Sequence, residues 1–125
     1  NDITSINRIK KFIKNKNFID ILFNNNEIKK CDKLHNKASC YAKRFAAKEA
    51  FSKAIGTGIS KGLSFNEVIV YNIKSGKPYI KLLGKTKKVV VKILKKKKFN
   101  IFLSLSDDKQ FAIATVVISI WVEKL

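Results

Sequence analysis

Residues 39–54 read SCYAKRFAAKEAFSKA, and this stretch decides the fold class of the chain. It is rich in Ala, Lys and Glu, which are good helix formers, and it contains neither Gly nor Pro. Gly56 follows closely and supplies the backbone freedom that commonly ends a helix. We therefore predict one long helix here, and its apolar side must be covered by other elements of the chain.

Two pairs of strands are predicted on the C-terminal side of this helix. Residues 68–73 are rich in β-branched side chains, and residues 79–83 can return as a second strand after the turn Ser-Gly-Lys-Pro at 75–78. Residues 100–106 and 111–122 flank Asp-Asp-Lys, which predicts two longer strands joined by a tight turn. The C-terminal half is therefore expected to be mainly antiparallel sheet.

Short helices are predicted on the N-terminal side. Apolar residues at helical spacing indicate an amphipathic helix with Asp2 at or before its N-terminus: Ile6, Ile9 and Ile13. Asn-Asn-Asn at 24–26 predicts a cap for a helix at 27–34. Residues 86–98 fit a helix, although three consecutive valines also suit a strand. The whole pattern predicts one α+β domain over residues 1–125, with a long helix packed on an antiparallel sheet.

The charge balance predicts a polyanionic partner. The chain has 125 residues, with 27 Lys+Arg against 9 Asp+Glu, and a formal net charge of +18. A hydrophobic fraction of 46% is enough for a folded core in one domain. Nucleic acid, an anionic membrane, a phosphorylated cofactor and an acidic protein all remain open at this point. Only Arg8 and Arg44 are arginines, which argues against sequence-specific reading of DNA bases.

Cysteine usage and hydropathy bear on the compartment. Cys31 and Cys40 are too few for a disulfide framework, so we expect two inert thiols in a reducing compartment. No apolar run of about 18 residues occurs, so no membrane span is expected, and the N-terminus does not resemble a secretion signal. The default localisation is cytoplasmic. The bias towards Lys and Asn is also compatible with a plastid-type organelle of an AT-rich eukaryotic parasite.

One motif is more specific than these patterns. Residues 44–58, RFAAKEAFSKAIGTG, resemble the signature of the small 4'-phosphopantetheinyl transferases of the holo-acyl carrier protein synthase type. Matching segments extend the resemblance in order along nearly the whole chain: Asp2-Ile3, Arg8-Ile9, Gly62-Leu63-Ser64-Phe65, Gly76-Lys77-Pro78, and Leu103-Ser104-Leu105-Ser106 with Ala112 and Ala114. The family usually begins with a Gly-rich strand that ends at the acidic residue matched by Asp2. The resemblance therefore implies the family fold with its first strand missing.

The resemblance also implies an activity. Members of this family use Mg²⁺ to transfer the phosphopantetheine arm of coenzyme A to a serine of an apo acyl carrier protein, and they release adenosine 3',5'-bisphosphate. This modification serves fatty acid synthesis. The family assembles as homotrimers with active sites at the subunit interfaces, and its acidic carrier protein is the expected partner. Neither nucleic acid nor membrane is expected to bind.

The family match assigns roles to individual residues. Asp2 and Glu49 would hold the metal, and Glu49, Lys53 and Asp107 would be catalytic. The residues expected to bind the coenzyme are Arg44, Lys48, Gly56, Gly58, Gly76, Lys77, Pro78, Ser104 and Ser106. The residues expected to bind the carrier protein are Arg8, Lys11 and Lys14. Asp107 stands where the family commonly has His, so the acceptor of the serine proton stays open among a metal-bound water, Glu27 and Asp107.

Each assignment has a simpler alternative. Asp2 could cap a helix, and Glu49 with Lys53 could be a surface ion pair worth a few tenths of a kcal/mol. Lys48 could be a solvated neighbour of Arg44, and the glycines could only end a helix or form a turn. Spacing alone allows the four charged residues of the long helix, at 44, 48, 49 and 53, to converge along one face.

The rival function is a basic nucleic-acid-binding module without catalysis. Its support is the net charge and the run Lys95–Lys98, for which the family match gives no role. Such a module has no need of the motif at 44–58, and the chain lacks an RNP, KH or zinc-finger pattern. The transferase is therefore the leading hypothesis.

Overall fold

A computed structural model describes residues 1–56, 62–95 and 98–120. Its elements in chain order are β1 (Asp2–Ser5), α1 (Ile6–Phe12), α2 (Lys16–Leu22), α3 (Asn25–Asp32), α4 (Lys37–Ile55), a 3-10 turn (Phe65–Glu67), β2 (Val68–Asn72), β3 (Pro78–Leu82), α5 (Gly84–Leu94), β4 (Phe99–Asp107) and β5 (Phe111–Ile120). The predicted long helix, the hairpin and the C-terminal strand pair are all present.

The strands form two antiparallel sheets. β1, β5 and β4 make a three-stranded sheet with β5 in the centre, and β2 pairs with β3 in a separate hairpin. In the larger sheet Asp2 is opposite Ala114, and Leu105 is opposite the same residue from the other side. Helix α4 packs on the sheet mainly through β5. The α+β architecture predicted from the sequence is confirmed.

Small side chains allow α4 to lie close to the sheet. Ala46, Ala47 and Ala50 are buried, as are Ala112 and Ala114 on β5. Alanine pairs bring a helix and a sheet together without the rotamer entropy that larger side chains lose. α4 ends at Gly56, which adopts a left-handed conformation with φ 81° and donates its N–H to the carbonyls of Ser52 and Lys53. This is the stop signal expected from the sequence.

Two apolar clusters hold the elements together. The first lies between the C-terminal half of α4, the hairpin, α5 and the sheet, and it includes Phe51, Val70 and Val90. The second packs helices α1 to α3 against the N-terminal half of α4, and it includes Ile9 and Tyr41. Helix α4 contributes to both clusters, so its two ends are fixed by different parts of the chain.

The side of the large sheet that faces away from α4 is apolar and exposed. We call it the outer sheet face. Because side chains alternate across a strand, it carries the residues that do not face α4. Its large apolar residues are 41–61% exposed: Ile3, Phe102, Phe111, Ile113 and Val117. Several large apolar residues exposed on one face commonly mark an interface with another chain.

The structure differs in three details from the predictions for the N-terminal segment and the short helices. Asp2 lies in strand β1, and Ser5 is the N-cap of α1 instead, because its side chain accepts the backbone N–H of Arg8. The capped helix runs over Asn25–Asp32 with a capping box formed by Asn24 and Glu27. The ambiguous segment at 86–98 is helical over Gly84–Leu94, with Thr86 and Val90 buried.

The expectation of two free thiols is wrong. Cys31 of α3 and Cys40 of α4 form a disulfide bond, with Cα atoms 5.4 Å apart. Sequence reasoning excluded a disulfide framework correctly, but one bridge between neighbouring helices needs only two cysteines. The bridge ties the end of α3 to the first turns of α4. In the part of the chain that the structure describes, no helix is both long enough and apolar enough to cross a bilayer.

Gly84 opens α5 in a position that only glycine fits, which gives a stability prediction. Its φ is +58°, and an added Cβ would lie 1.9 Å from Oε2 of Glu67, whose other oxygen accepts the backbone N–H and the hydroxyl of Thr86. Gly84→Ala should therefore lower the free energy of unfolding by about 2–3 kcal/mol. Urea denaturation followed by circular dichroism measures this loss.

Gly56→Ala is the matched control for this prediction. Gly56 also has a positive φ, but an added Cβ would meet nothing within 4 Å. Its loss should be limited to backbone strain of about 1 kcal/mol. Equal losses for the two variants would show that the contact with Glu67 does not matter.

Candidate active site

The predicted metal ligands and Lys53 come together where β1 meets α4. Nζ of Lys53 donates to Oδ1 of Asp2 at 2.8 Å and to the carbonyl of Asn1 at 3.3 Å. Oδ2 of Asp2 accepts the hydroxyl of Thr4 at 3.0 Å. Glu49 lies one turn before Lys53 on the same stripe of α4. Strand β1 thus supplies one carboxylate and α4 supplies the other.

The Asp2 carboxylate acts electrostatically on Glu49. Partial burial raises the pKa of Glu49 above its ordinary value, the nearby Asp2 carboxylate raises it further, and Lys53 lowers it. A hydrogen bond to Asp2 raises the pKa of Lys53. A carboxylate whose charged form is disfavoured by a neighbouring carboxylate is stabilised by a cation that lies between the two.

Asp2 and Glu49 line one cavity of about 470 Å³, which we call the carboxylate cavity. The rest of its wall is mainly apolar, with Arg8 as a cation: Ile3, Thr4, Ser5, Arg8, Ile9, Phe12, Phe18 and Phe45. Two carboxylates beside open space fit Mg²⁺, which takes one or two protein carboxylates together with phosphate oxygens and water. No larger cluster of His, Cys, Asp or Glu able to hold a metal occurs among the described residues.

Arg44 lies at a second cavity, on another side of α4. This cavity has a volume of about 610 Å³, and we call it the cationic cavity. Its charged residues are mostly basic: Lys30, Lys43, Arg44, Lys74 and Asp107. Gly76 of the hairpin turn also lines it, as do Asn72 and the exposed His35. The structure therefore brings together three residues predicted for the coenzyme or for catalysis, namely Arg44, Gly76 and Asp107.

Arg44 is only 3% exposed and is held by specific contacts. Nη2 donates to Oδ1 of Asn72 at 3.0 Å, and Nη1 donates to Sγ of Cys40 at 3.2 Å. Its Nε is buried without a hydrogen-bond partner. Nζ of Lys30 donates to the same Asn72 oxygen at 2.9 Å. Burial lowers the pKa of Arg44, and the pKa of Lys30 is lowered by burial and by the charges of Arg44 and Lys43. This cluster of cations favours an anionic ligand.

The convergence of four charges on one face of α4 is not observed. Glu49 lines the carboxylate cavity, whereas Arg44 lines the cationic cavity. Five residues separate them, which turns the side chains about 140° apart around the helix. One chain therefore carries two separate cavities on different sides of α4.

Lys48 is fully buried, which argues against its expected contact with the coenzyme. Nζ donates to Oε1 of Glu27 at 2.8 Å, to the carbonyl of Phe65 at 2.8 Å, and to the carbonyl of Val68. Burial lowers the pKa of Lys48 to about 8, and the Glu27 carboxylate opposes this shift. Glu27 is 2% exposed, so its burial also argues against it as the acceptor of the serine proton.

Asp107 and Asp108 have different roles in the structure. The Asp107 carboxylate accepts the hydroxyl of Ser39 and lies 3.5 Å from Nζ of Lys43, so it is bound to α4. Asp108 forms the turn, because its side chain accepts the backbone N–H groups of Gln110 and Phe111 at 2.7 Å. Asp108, and not Asp107, therefore stabilises the turn between β4 and β5.

Most of the remaining predicted residues that the structure describes are exposed. Ser104 and Ser106 share the outer sheet face of β4, as their alternation predicts. Lys77 lies over the ring of Tyr79, with Nζ 5.3 Å from the centroid, and Pro78 begins β3. Gly58 lies outside the described residues, as do two residues of the run 95–98. Arg8, Lys11 and Lys14 are exposed on and just after α1.

Two residues of the cationic cavity were missed in the sequence. Asn72 bonds to both Arg44 and Lys30, and its Nδ2 donates to the carbonyl of Gly76 at 2.9 Å. Its position before a hairpin turn is a weak signal, since the partners come from α3 and α4. Lys30 looks like any other helix lysine in the sequence.

Comparisons with known proteins agree on one family. A model described as the 4'-phosphopantetheinyl transferase superfamily matches residues 1–116. A holo-[acyl-carrier-protein] synthase from Pelagibacter ubique is 50% identical over 117 residues, which cover 94% of this chain and 91% of the relative.

Solved structures give the same result. The holo-ACP synthase from Plasmodium yoelii superposes with a TM-score of 0.79 at 36% identity, and the match covers 98% of this chain and 92% of that one. The holo-[acyl-carrier-protein] synthase from Helicobacter pylori, solved in complex with coenzyme A, has a TM-score of 0.79 at 36% identity. That match covers 94% of this chain and 96% of the other.

Proposed function

The chain belongs to the holo-[acyl-carrier-protein] synthases of the 4'-phosphopantetheinyl transferase superfamily, and from this premise we propose the reaction in detail. The serine oxygen of an apo acyl carrier protein forms a bond to the phosphorus that bears the pantetheine arm of coenzyme A. The bond from that phosphorus to the bridging oxygen breaks, the electron pair stays on the departing 5'-phosphate, and the serine proton is released to solvent. Adenosine 3',5'-bisphosphate leaves, and the carrier protein keeps the phosphopantetheine arm for fatty acid synthesis.

Asp2 and Glu49 would hold Mg²⁺ in this reaction. The observation that carries the proposal is that both carboxylates line one cavity, where the Asp2 carboxylate disfavours the charged form of Glu49. When bound, the ion would neutralise charge on the pyrophosphate as the bond breaks. Lys53 lies within hydrogen-bond distance of Asp2 and would contact the same phosphates. The cations of the cationic cavity suit the 3'-phosphate end of coenzyme A.

A complete site requires two copies of the chain. The carboxylate cavity and the cationic cavity lie on different sides of α4, so one coenzyme would be held by half-sites of neighbouring copies. The outer sheet face supports this proposal, because a neighbouring copy of the chain would bury its exposed apolar residues. In a homotrimer, as the family resemblance implies, the same contact would repeat around a closed ring of three copies. Sedimentation velocity should give the mass of three chains, and a monomer at the concentrations of the assay would contradict the proposal.

The basic surface around α1 would receive the acidic carrier protein. Arg8 lies at the carboxylate cavity, and Lys11 and Lys14 are exposed nearby. The charge reversal Lys11→Glu should raise KM for the carrier protein roughly 10-fold with little change in kcat, because complementary charge guides association. Lys88→Glu on α5 is the control, since it makes the same charge change on a different helix. Equal effects would mean that only net charge matters.

One assay tests the central proposal. We incubate the purified protein with coenzyme A, Mg²⁺ and an apo acyl carrier protein. Mass spectrometry then measures the mass of the carrier protein. Its mass should rise by one phosphopantetheine, and the increase should disappear when Mg²⁺ is chelated. An unchanged carrier mass at saturating substrates would contradict the proposed function. Tight salt-sensitive binding to DNA or RNA, without transfer, would favour the nucleic-acid-binding alternative.

A further inference from the structure

The ion pair between Glu27 and Lys48 is buried, and the reaction proposed above does not use it. Side-chain exposure is 0% for Lys48 and 1% for Glu27. A buried ion pair is weak evidence for stability, because removing both charges from water costs about as much as their attraction returns. The structural role of the pair therefore lies in the parts of the chain that its hydrogen bonds hold in place.

The pair holds the main chain of β2. Lys48 donates to the carbonyl of Val68, and Oε2 of Glu27 accepts the backbone N–H of Val70 at 3.0 Å. These main-chain groups lie in a two-stranded sheet, and they are groups that would bond to a third strand in a wider sheet. Two side chains, one from α3 and one from α4, replace that strand. The hairpin is thereby fixed to both helices.

The same strand leads directly into the cationic cavity. Asn72 lies two residues after Val70, so both side chains are on the same side of β2. Asn72 accepts from Arg44, and it donates to the carbonyl of Gly76 in the hairpin turn. Lys30 lies one turn after Glu27 on α3 and donates to the same amide. The pair thus joins β2, α3 and α4, and these three elements carry Asn72, Lys30 and Arg44 of the cationic cavity.

We propose that Glu27 and Lys48 are positioning residues that set Asn72 and Gly76 against Arg44, and so shape the half-site for the 3'-phosphate end of coenzyme A. This inference rests on the proposed function. The pair acts on this half-site only. Glu49 lines the carboxylate cavity, and none of the hydrogen bonds given above for Glu27 and Lys48 goes to Glu49.

The test uses the double variant Glu27→Gln/Lys48→Met in the full chain. It removes both charges together, so that no single charge is left buried without its partner. The KM for coenzyme A should rise about 10-fold, while kcat changes less than about 2-fold, in line with the loss of a supporting contact. The preference for coenzyme A over 3'-dephospho-coenzyme A, measured as a ratio of kcat/KM values, should fall by a similar factor.

A control separates positioning from general stability. Val90→Ala removes buried apolar volume from α5 and leaves both charges of the pair in place, so it should destabilise the fold without changing the preference for the 3'-phosphate. A double variant that keeps the wild-type KM and preference would overturn the positioning role. A double variant whose kcat falls and whose KM rises to the same extent as in an equally destabilised control would also overturn it. Failure of the wild-type chain to transfer phosphopantetheine in the same assay would instead contradict the proposed function.

Discussion

Replacing Glu49 by glutamine is expected to lower kcat for phosphopantetheine transfer by roughly 10³-fold, with little effect on the fold. The substitution keeps the size of the side chain and removes one of the two carboxylates at the carboxylate cavity. Because partial burial already raises the pKa of Glu49, a neutral amide should be tolerated there. Transfer to the carrier protein is measured over a range of Mg²⁺ concentrations, together with the thermal midpoint of unfolding.

Asp20→Asn provides the matched control for this variant. Asp20 is an exposed acid on α2, and its replacement removes the same charge at a distance from β1 and α4. Its kcat should remain near the wild-type value. A Glu49→Gln enzyme that kept its Mg²⁺-dependent turnover would remove Glu49 from the proposed metal site.

The single substitution Lys48→Met should cost about 3–5 kcal/mol of the free energy of unfolding. It leaves the Glu27 carboxylate buried without its cation, and it leaves the carbonyls of Phe65 and Val68 without their donor. A loss of this size is a large share of the stability of a small domain. Urea denaturation measures it as a shift of the midpoint at constant slope.

Two comparisons make this result informative. Lys37→Met is the same substitution at an exposed position at the start of α4, and it should leave the urea midpoint almost unchanged. Adding Glu27→Gln to Lys48→Met should recover much of the loss, because the unpaired charge disappears. A loss below about 1 kcal/mol for Lys48→Met alone would mean that solvent reaches the pair in solution.

The architecture could be predicted because its signals are local. Ala-rich sequence and Gly56 defined α4, and the turn at 75–78 defined the hairpin, without knowledge of the rest of the chain. Strand β1 was missed because its four residues carry no long alternating pattern. Its stability comes from pairing with β5, more than 100 residues later, and no local window contains that information.

The site was predicted less completely, for a related reason. The resemblance brought Asp2, Glu49 and Lys53 together correctly in space, whereas helical spacing placed Arg44 on the same face in error. Lys48 looked like a surface cation, because burial of a lysine depends on an acid from another helix. Only the contact with Glu27, 21 residues earlier, explains its position.

The placement of the two cavities on different sides of one helix has a genetic consequence if each forms half of a shared site, as proposed. A chain with a defective carboxylate cavity keeps an intact cationic cavity, and a chain with a defective cationic cavity keeps intact carboxylates. In a homotrimer whose sites combine one half from each neighbour, two inactive mutant proteins would complement each other when mixed. Random assembly would restore about one quarter of the sites. Alleles of this gene would then fall into two complementation groups, divided by the side of α4 on which the mutation lies.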